Sequence, residues 1–123
     1  MMDEESRMER YLRLNGKFLR DADELMAKGD HVQASEKFWG AAAEAVKAVA
    51  ENMGRKTRTH ADLWLLVEEL DSKRPDLGLL EDFLLANHLH SNFYEDELRP
   101  SAVRAAAEGV KRFIRKIETF LVS

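Results

Sequence analysis

Residues 100 to 121 read Pro-Ser-Ala-Val-Arg-Ala-Ala-Ala-Glu-Gly-Val-Lys-Arg-Phe-Ile-Arg-Lys-Ile-Glu-Thr-Phe-Leu, and their spacing decides the fold class. Val103, Ala106, Val110, Phe113, Ile114, Ile117 and Leu121 recur every three or four positions, so they share one stripe of a helix. Arg104, Glu108, Lys111, Arg112 and Arg115 fall on the other side. Pro100 suits a helix's first turn, where its missing N–H costs nothing.

Working outward, the same period governs the rest. Apolar residues from Leu77 to Leu98 predict a helix opened by Asp76, and Arg99-Pro100 ends it. Thr59 with Asp62 three residues on predicts a capped short helix, with Leu63, Leu66, Val67 and Leu70 inside. Asp30 with Gln33 predicts another start, and that helix runs to about Met53 with Ala34, Phe38, Ala41, Ala42, Ala45 and Val49 on one face. Gly54 ends it. A first helix from about Asp3 to Lys28 carries Met8, Tyr11, Phe18, Ala22 and Leu25, with Gly29 as its left-handed stop. Only two Pro and six Gly punctuate the chain. No β-branched residues alternate with polar ones over a strand length, and no segment repeats.

The prediction is all-α: an up-and-down antiparallel helical bundle of four long helices and one short helix, forming a single domain over residues 1–123. Its expected core is Phe18, Leu25, Phe38, Ala42, Val46, Leu66, Leu80, Leu84, Val110, Phe113 and Ile117. Trp39 and Trp64 each sit one position beyond a core residue, where a second subunit or the rim of the core would cover them. With the close-packing alanine faces, they lead to the expectation of a homodimer.

Composition narrows the function classes. The chain has 123 residues, enough for a core without staples, and no Cys, which excludes disulfides, thiolate metal sites and thiol chemistry. No apolar signal region or membrane-length run is present, so a cytoplasmic setting with no membrane contact is expected. The net charge of −4 argues against a chain coated in nucleic acid but permits a local basic face. Charged residues make up 34% while Gln occurs once, at Gln33, a composition found in thermophilic proteins.

Chemistry concentrates at Ala86-Asn87-His88-Leu89-His90-Ser91-Asn92-Phe93-Tyr94-Glu95. Asn and His are middling helix formers, so propensity does not explain their clustering, and buried amides and imidazoles need partners. Asn87, His88, Asn92 and Tyr94 are expected along one side of the helix, as a ligand-binding face or as satisfied core residues. His90 falls on another side, among Ala86, Leu89 and Phe93, and reads as a packed, hydrogen-bonded histidine.

Two residues apart on a helix, His88 and His90 point away from each other and share no ion, so no metal and no cofactor is expected. No serine elbow or Gly-rich phosphate loop appears, and no catalytic residue is assigned. Glu68-Glu69 and Glu95-Asp96-Glu97 read as solvated faces. Arg55, Lys56 and Arg58, with Lys111, Arg112 and Arg115 of the last helix, form a candidate strip for RNA or a nucleotide; the plain alternative is a charged outer face.

Three blocks carry a resemblance over roughly Leu12 to Ile117. Gly29 to Ala43 (Gly-Asp-His-Val-Gln-Ala-Ser-Glu-Lys-Phe-Trp-Gly-Ala-Ala-Ala), His60-Ala61-Asp62-Leu63-Trp64 and Leu89 to Glu95 resemble the archaeal paREP family, which is similar to the HEPN superfamily of helical bundles. Ribonucleases of that superfamily carry an Arg-Asn and then His, often with Tyr, on a helix lining a dimer cleft. Here the resemblance puts Asn87 at the Arg position, His88 at the Asn, Asn92 at the His and Tyr94 at the Tyr. Asn is no general base, and without Arg no fixed cation meets the phosphate. Arg55 and His60 satisfy a bare Arg-x4-His spacing, but about one such hit is expected by chance.

The resemblance therefore implies a non-catalytic HEPN-like binding or interaction module, dimeric, and by analogy the partner of a nucleotidyltransferase or part of a defence or toxin–antitoxin system. The alternative is a HEPN-type ribonuclease, or a nucleotide-handling enzyme built on His88, His90 and Tyr94. Gly29-Asp30 before Ala34 also resembles a tetratricopeptide turn, but one such unit does not make a repeat array.

Overall fold

A computed structural model describes residues 4–121. Five α-helices follow one another: α1 (Arg7–Ala27), α2 (His31–Asn52), α3 (His60–Lys73), α4 (Leu79–Glu95) and α5 (Pro100–Ile117). Short 3-10 turns lie at Pro75–Leu77 and Glu118–Leu121. No strand occurs among the described residues, and the helices pack as the expected bundle.

Helix α2 is the axis. It touches all four other helices, because alanines at 34, 41, 42, 43, 45, 48 and 50 put little more than backbone on most of its circumference. Small side chains let neighbouring helix axes approach closely, and Phe38, Val46 and Val49 fill the gaps that remain. Asn15 of α1 donates from Nδ2 to the Ala41 carbonyl at 2.6 Å, which ties the first hairpin. In α5, Val103, Val110, Phe113 and Ile117 are all inaccessible, so the stripe read from residues 100–121 is the buried one.

Caps fix the ends. Thr59 and Asp62 form the reciprocal capping box expected of α3, Asp30 accepts from the Gln33 amide, and Pro100 opens α5. Ser6 with Glu9 makes a second capping box, so α1 starts at Arg7. The expected start at Asp3 lies outside the described residues. Asp76 does not open α4: it sits in the Pro75–Leu77 turn, and Gly78 at φ 64° redirects the chain before Leu79. That register corrects one core assignment. Leu79, Phe83, Ala86 and Leu89 point inward, so Leu84 faces out and is 53% exposed. Phe18, Leu25 and Leu80 are half-buried against the core, and the other expected core residues are buried within it.

One connection differs from a tight turn and shapes the site. After α2, residues 53–59 run back alongside it, so that His60 at the start of α3 meets Trp39 and Arg55 in the connection meets Glu69 near the end of α3. α3 therefore runs in the same direction as α2. The returning segment leaves an open groove along one face of α2.

Phe83 and Phe113 anchor the contact between α4 and α5, both at 0% exposure, with centroids 5.3 Å apart. Phe113→Ala should lower the unfolding free energy by about 3–5 kcal/mol in denaturant titration, the usual cost of an aromatic-sized cavity. A loss within about 0.5 kcal/mol, the range of surface changes, would contradict this core.

Candidate functional site

The groove is a cavity of about 540 Å³, within the range of small-molecule pockets. Its floor is a stripe of α2 at helical spacing: Gln33, Glu36, Lys37, Gly40, Ala43, Glu44 and Lys47. Phe18 of α1 forms one wall. Thr57, Arg58, Thr59, His60 and Leu63 form the other, with Phe93 of α4 beside them. Gly40 lets Phe18 approach closely: a Cβ there would come within 3.1 Å of the Phe18 ring and push it aside by a few tenths of an ångström. Phe18 thus lies against the floor, and the Lys37 ammonium sits 5.1 Å above its centroid.

At one side of the groove, aromatic rings gather. His90 stacks on Trp39 at 4.9 Å and 28°, and His60 meets both edge-on at 5.2 Å. Tyr94 stands edge-on to His90 at 5.5 Å and to Phe93 at 5.0 Å. His90 Nδ1 lies 3.2 Å from both carboxylate oxygens of Glu36. An ionised carboxylate only accepts, so Nδ1 carries the proton and the ring is fixed in orientation.

Cations share the cavity with two rings of this cluster, His60 and Phe93. Lys37, Lys47 and Arg58 line the cavity, and α3 begins at its wall with the positive end of its dipole. Lys47 reaches Glu44 Oε1 only at 3.4 Å. Glu44 Oε2 is enclosed and has no hydrogen-bond partner among the described residues. The wall itself is pinned by Arg55, which donates to Glu69 at 2.6 Å and holds that carboxyl below the usual glutamate range. A depressed folded value gives stability that is present above the unfolded pKa and lost as pH falls through the folded one. Acid therefore loosens this strap.

The residues expected to form a ligand face are not brought together. Asn92 is fully buried: Nδ2 donates to Ser35 Oγ at 3.0 Å, and Oδ1 accepts from the Glu97 and Leu98 amides at 2.9 and 2.8 Å. It ties α2, the end of α4 and the turn into α5, where Asp96 adopts φ 47°. Asn87 is half-buried, His88 is exposed, and Tyr94, 71% exposed, turns toward His90. His90 is the packed, hydrogen-bonded histidine expected, behind Trp39 and Glu36, and His60 is the histidine that lines the cavity.

The basic strip is also dispersed. Arg55 is held by Glu69, Lys111 by Asp23 at 3.0 Å, and Arg112 leans on the buried Asp82 at 3.5 Å, which also takes Lys116 at 3.0 Å. Lys56 and Arg115 are exposed away from the cavity lining, and Arg58 alone of the six lines the groove. Trp39 is covered by its own chain, at 4% exposure, and Trp64 packs on Phe83. Trp39 is thus closed within its own bundle, while Trp64 stays half-buried at the rim of the core. Sequence reasoning missed Glu36, Lys37, Glu44 and Lys47. Their spacing on α2 was visible, but nothing local shows that a distant segment walls off that side. Among the described residues, no three His, Asp or Glu gather to hold a metal, and no helix is long and apolar enough to cross a membrane.

Asn92→Ala should cost about 1–3 kcal/mol, because it leaves the Glu97 and Leu98 amides without their acceptor and removes the tie to Ser35. His88→Ala should change stability by less than about 0.5 kcal/mol, as exposed substitutions do. Chemical denaturation of both variants checks the pair, and the reverse ranking would overturn this assignment.

With the site described, the comparisons with known proteins place the chain. The model of the archaeal PaREP1/PaREP8 family matches residues 10–114. A crystal structure of a Sulfolobus solfataricus protein, 24% identical, has the same fold with a TM-score of 0.72, covering 98% of this chain and 100% of its own. No curated protein matches. The chain belongs to the archaeal PaREP1/PaREP8 family.

Proposed function

We propose that this PaREP1/PaREP8 chain is a non-catalytic, HEPN-like binding module whose α2 groove holds a mononucleotide. One observation carries the reading: aromatic rings (Phe18, His60, Phe93) and cations (Lys37, Lys47, Arg58) line one cavity of about 540 Å³. A nucleobase needs a flat apolar surface, and a phosphate needs fixed positive charge. A long RNA strand is less well served. Arg55, Lys111 and Arg112 are engaged by carboxylates, so the basic strip offers few free cations to track a backbone.

The non-catalytic part rests on Asn92. At the position where HEPN ribonucleases carry their histidine, this amide is buried and its carbonyl oxygen is already doubly bonded to backbone amides. It neither moves a proton nor reaches a substrate. A second reading, metal-free ribonuclease chemistry, is favoured by His60 and His90, whose rings stand 5.2 Å apart with Glu36 orienting one of them. Against it, His90 is sandwiched on Trp39 and only 22% exposed.

Homodimerisation is part of the proposal and rests on Leu65 and Leu84, 60% and 53% exposed. A nucleotidyltransferase partner is proposed by analogy alone.

Calorimetric titration should detect purine nucleoside monophosphates with dissociation constants on the order of micromolar, and Lys37→Ala or Arg58→Ala should weaken binding about tenfold. Single-stranded RNA should survive incubation in EDTA. Cleavage lost on His60→Ala or His90→Ala would replace the binding module with the enzyme. Light scattering at micromolar concentration should give twice the chain mass, and a clean monomer would refute the dimer.

A further inference from the structure

The groove carries more than a flat surface and positive charge. Glu44 stands in its floor with 12% of its side chain exposed, and its one recorded bond, to Lys47 at 3.4 Å, is long for a charge-assisted contact. The second carboxylate oxygen has no partner at all among the described residues. A carboxylate removed from water and left half-satisfied works against folding, and an isosteric neutral residue would relieve it. Such a group at the floor of a cavity is set up for a donor that arrives with a ligand. A flip about the last side-chain bond only exchanges the two oxygens, so it is a rotamer change nearer the backbone that turns both toward the groove, and it leaves α2 in place.

The ligand's identity follows from the order of donors and acceptors. Lys47 presents N–H donors, and Glu44 beside it, once turned outward, presents two acceptor oxygens. The complementary edge has one acceptor followed by two adjacent donors. Guanine offers that order, in O6, N1–H and the N2 amine. Adenine offers a donor followed by an acceptor, which sets its N1 lone pair against the carboxylate. Cytosine has a single donor next to an acceptor, and uracil has one donor between two acceptors. Lys37 lies seven residues before Glu44 on the same stripe, roughly 10 Å along the helix axis. That is the reach from a guanine edge to its 5′-phosphate, and Arg58 and the start of α3 border the same cavity.

We propose that the groove selects guanine nucleotides, with Glu44 accepting from N1–H and N2, Lys47 donating to O6, and Lys37 with Arg58 receiving the phosphate. This inference rests on the nucleotide reading of the groove and adds the base that it takes. Glu44 and Lys47 are specificity-determining residues, and no chemistry on the nucleotide is required of them.

Titration of the intact chain with GMP, IMP and AMP at one ionic strength, by calorimetry and by Trp fluorescence, tests it. GMP should bind at least about tenfold tighter than AMP, with IMP, which lacks the N2 amine, in between. Glu44→Gln should bring GMP and AMP close to parity while its melting temperature stays level or rises, which separates lost recognition from lost folding. Lys47→Met should weaken GMP and IMP together and leave AMP nearly as it was. If AMP equals or exceeds GMP, the base assignment falls while the nucleotide reading survives. If Glu44→Gln keeps the full preference, Glu44 is not the reader. If none of the three binds at millimolar concentration, the nucleotide reading falls and this inference falls with it.

Discussion

The packing of α2 sets the terms for everything else in the molecule. A helix surrounded by four others needs small side chains on most of its surface, and the alanines from 34 to 50 supply them. Because the neighbours approach so closely, larger residues such as Phe38 and Val46 are fixed by contact on several sides. The same crowding leaves one stripe with no helix above it. Gln33, Glu36, Lys37, Gly40, Glu44 and Lys47 are polar or small there, where Phe18, the returning segment, the start of α3 and Phe93 border an open groove instead of packing down on them. Core and candidate site are two sides of one helix.

Energetically the two sides pull in opposite directions. Burial of α2's apolar face stabilises the bundle through removal of apolar surface from water. The groove face holds a carboxylate whose second oxygen has no partner among the described residues, an arrangement that a purely structural helix would avoid. Local departures from packing logic of this kind are what a binding site looks like before its ligand is considered. The polar tie at Asn92 is the contrasting case. There both the amide nitrogen and the amide oxygen have hydrogen-bond partners, and the cluster that first attracts the eye in the sequence turns out to close a turn.

Much of the fold was legible because its signals are local. Thr59 and Asp62 are three residues apart, Gly29 directly follows a helix, and the Val103 to Ile117 stripe repeats within one element. Where neighbouring positions were both leucine or phenylalanine, period alone misassigned the inward one, as at Phe83 and Leu84. The site was poorly legible because its contacts span the chain. Asn92 meets Ser35 across 57 positions, His90 meets Glu36 across 54, and Lys111 is neutralised by Asp23 across 88. A sequence shows which charges exist but not which carboxylate has already claimed them. For that reason the strip of Arg55, Lys111 and Arg112 looked like a phosphate track and is a set of ion pairs.

The central claim is that the polar stripe of α2, rather than the outer face of α4 or the basic side of α5, is where this protein meets its ligand. Backbone amide chemical-shift mapping during a nucleotide titration tests it most directly. The account predicts shifts that saturate along Glu36, Lys37, Gly40, Glu44 and Lys47 and across Thr57 to His60, with Arg104 to Arg115 unmoved. Shifts confined to Asn87 and His88, or to Lys111, Arg112 and Arg115, would contradict it.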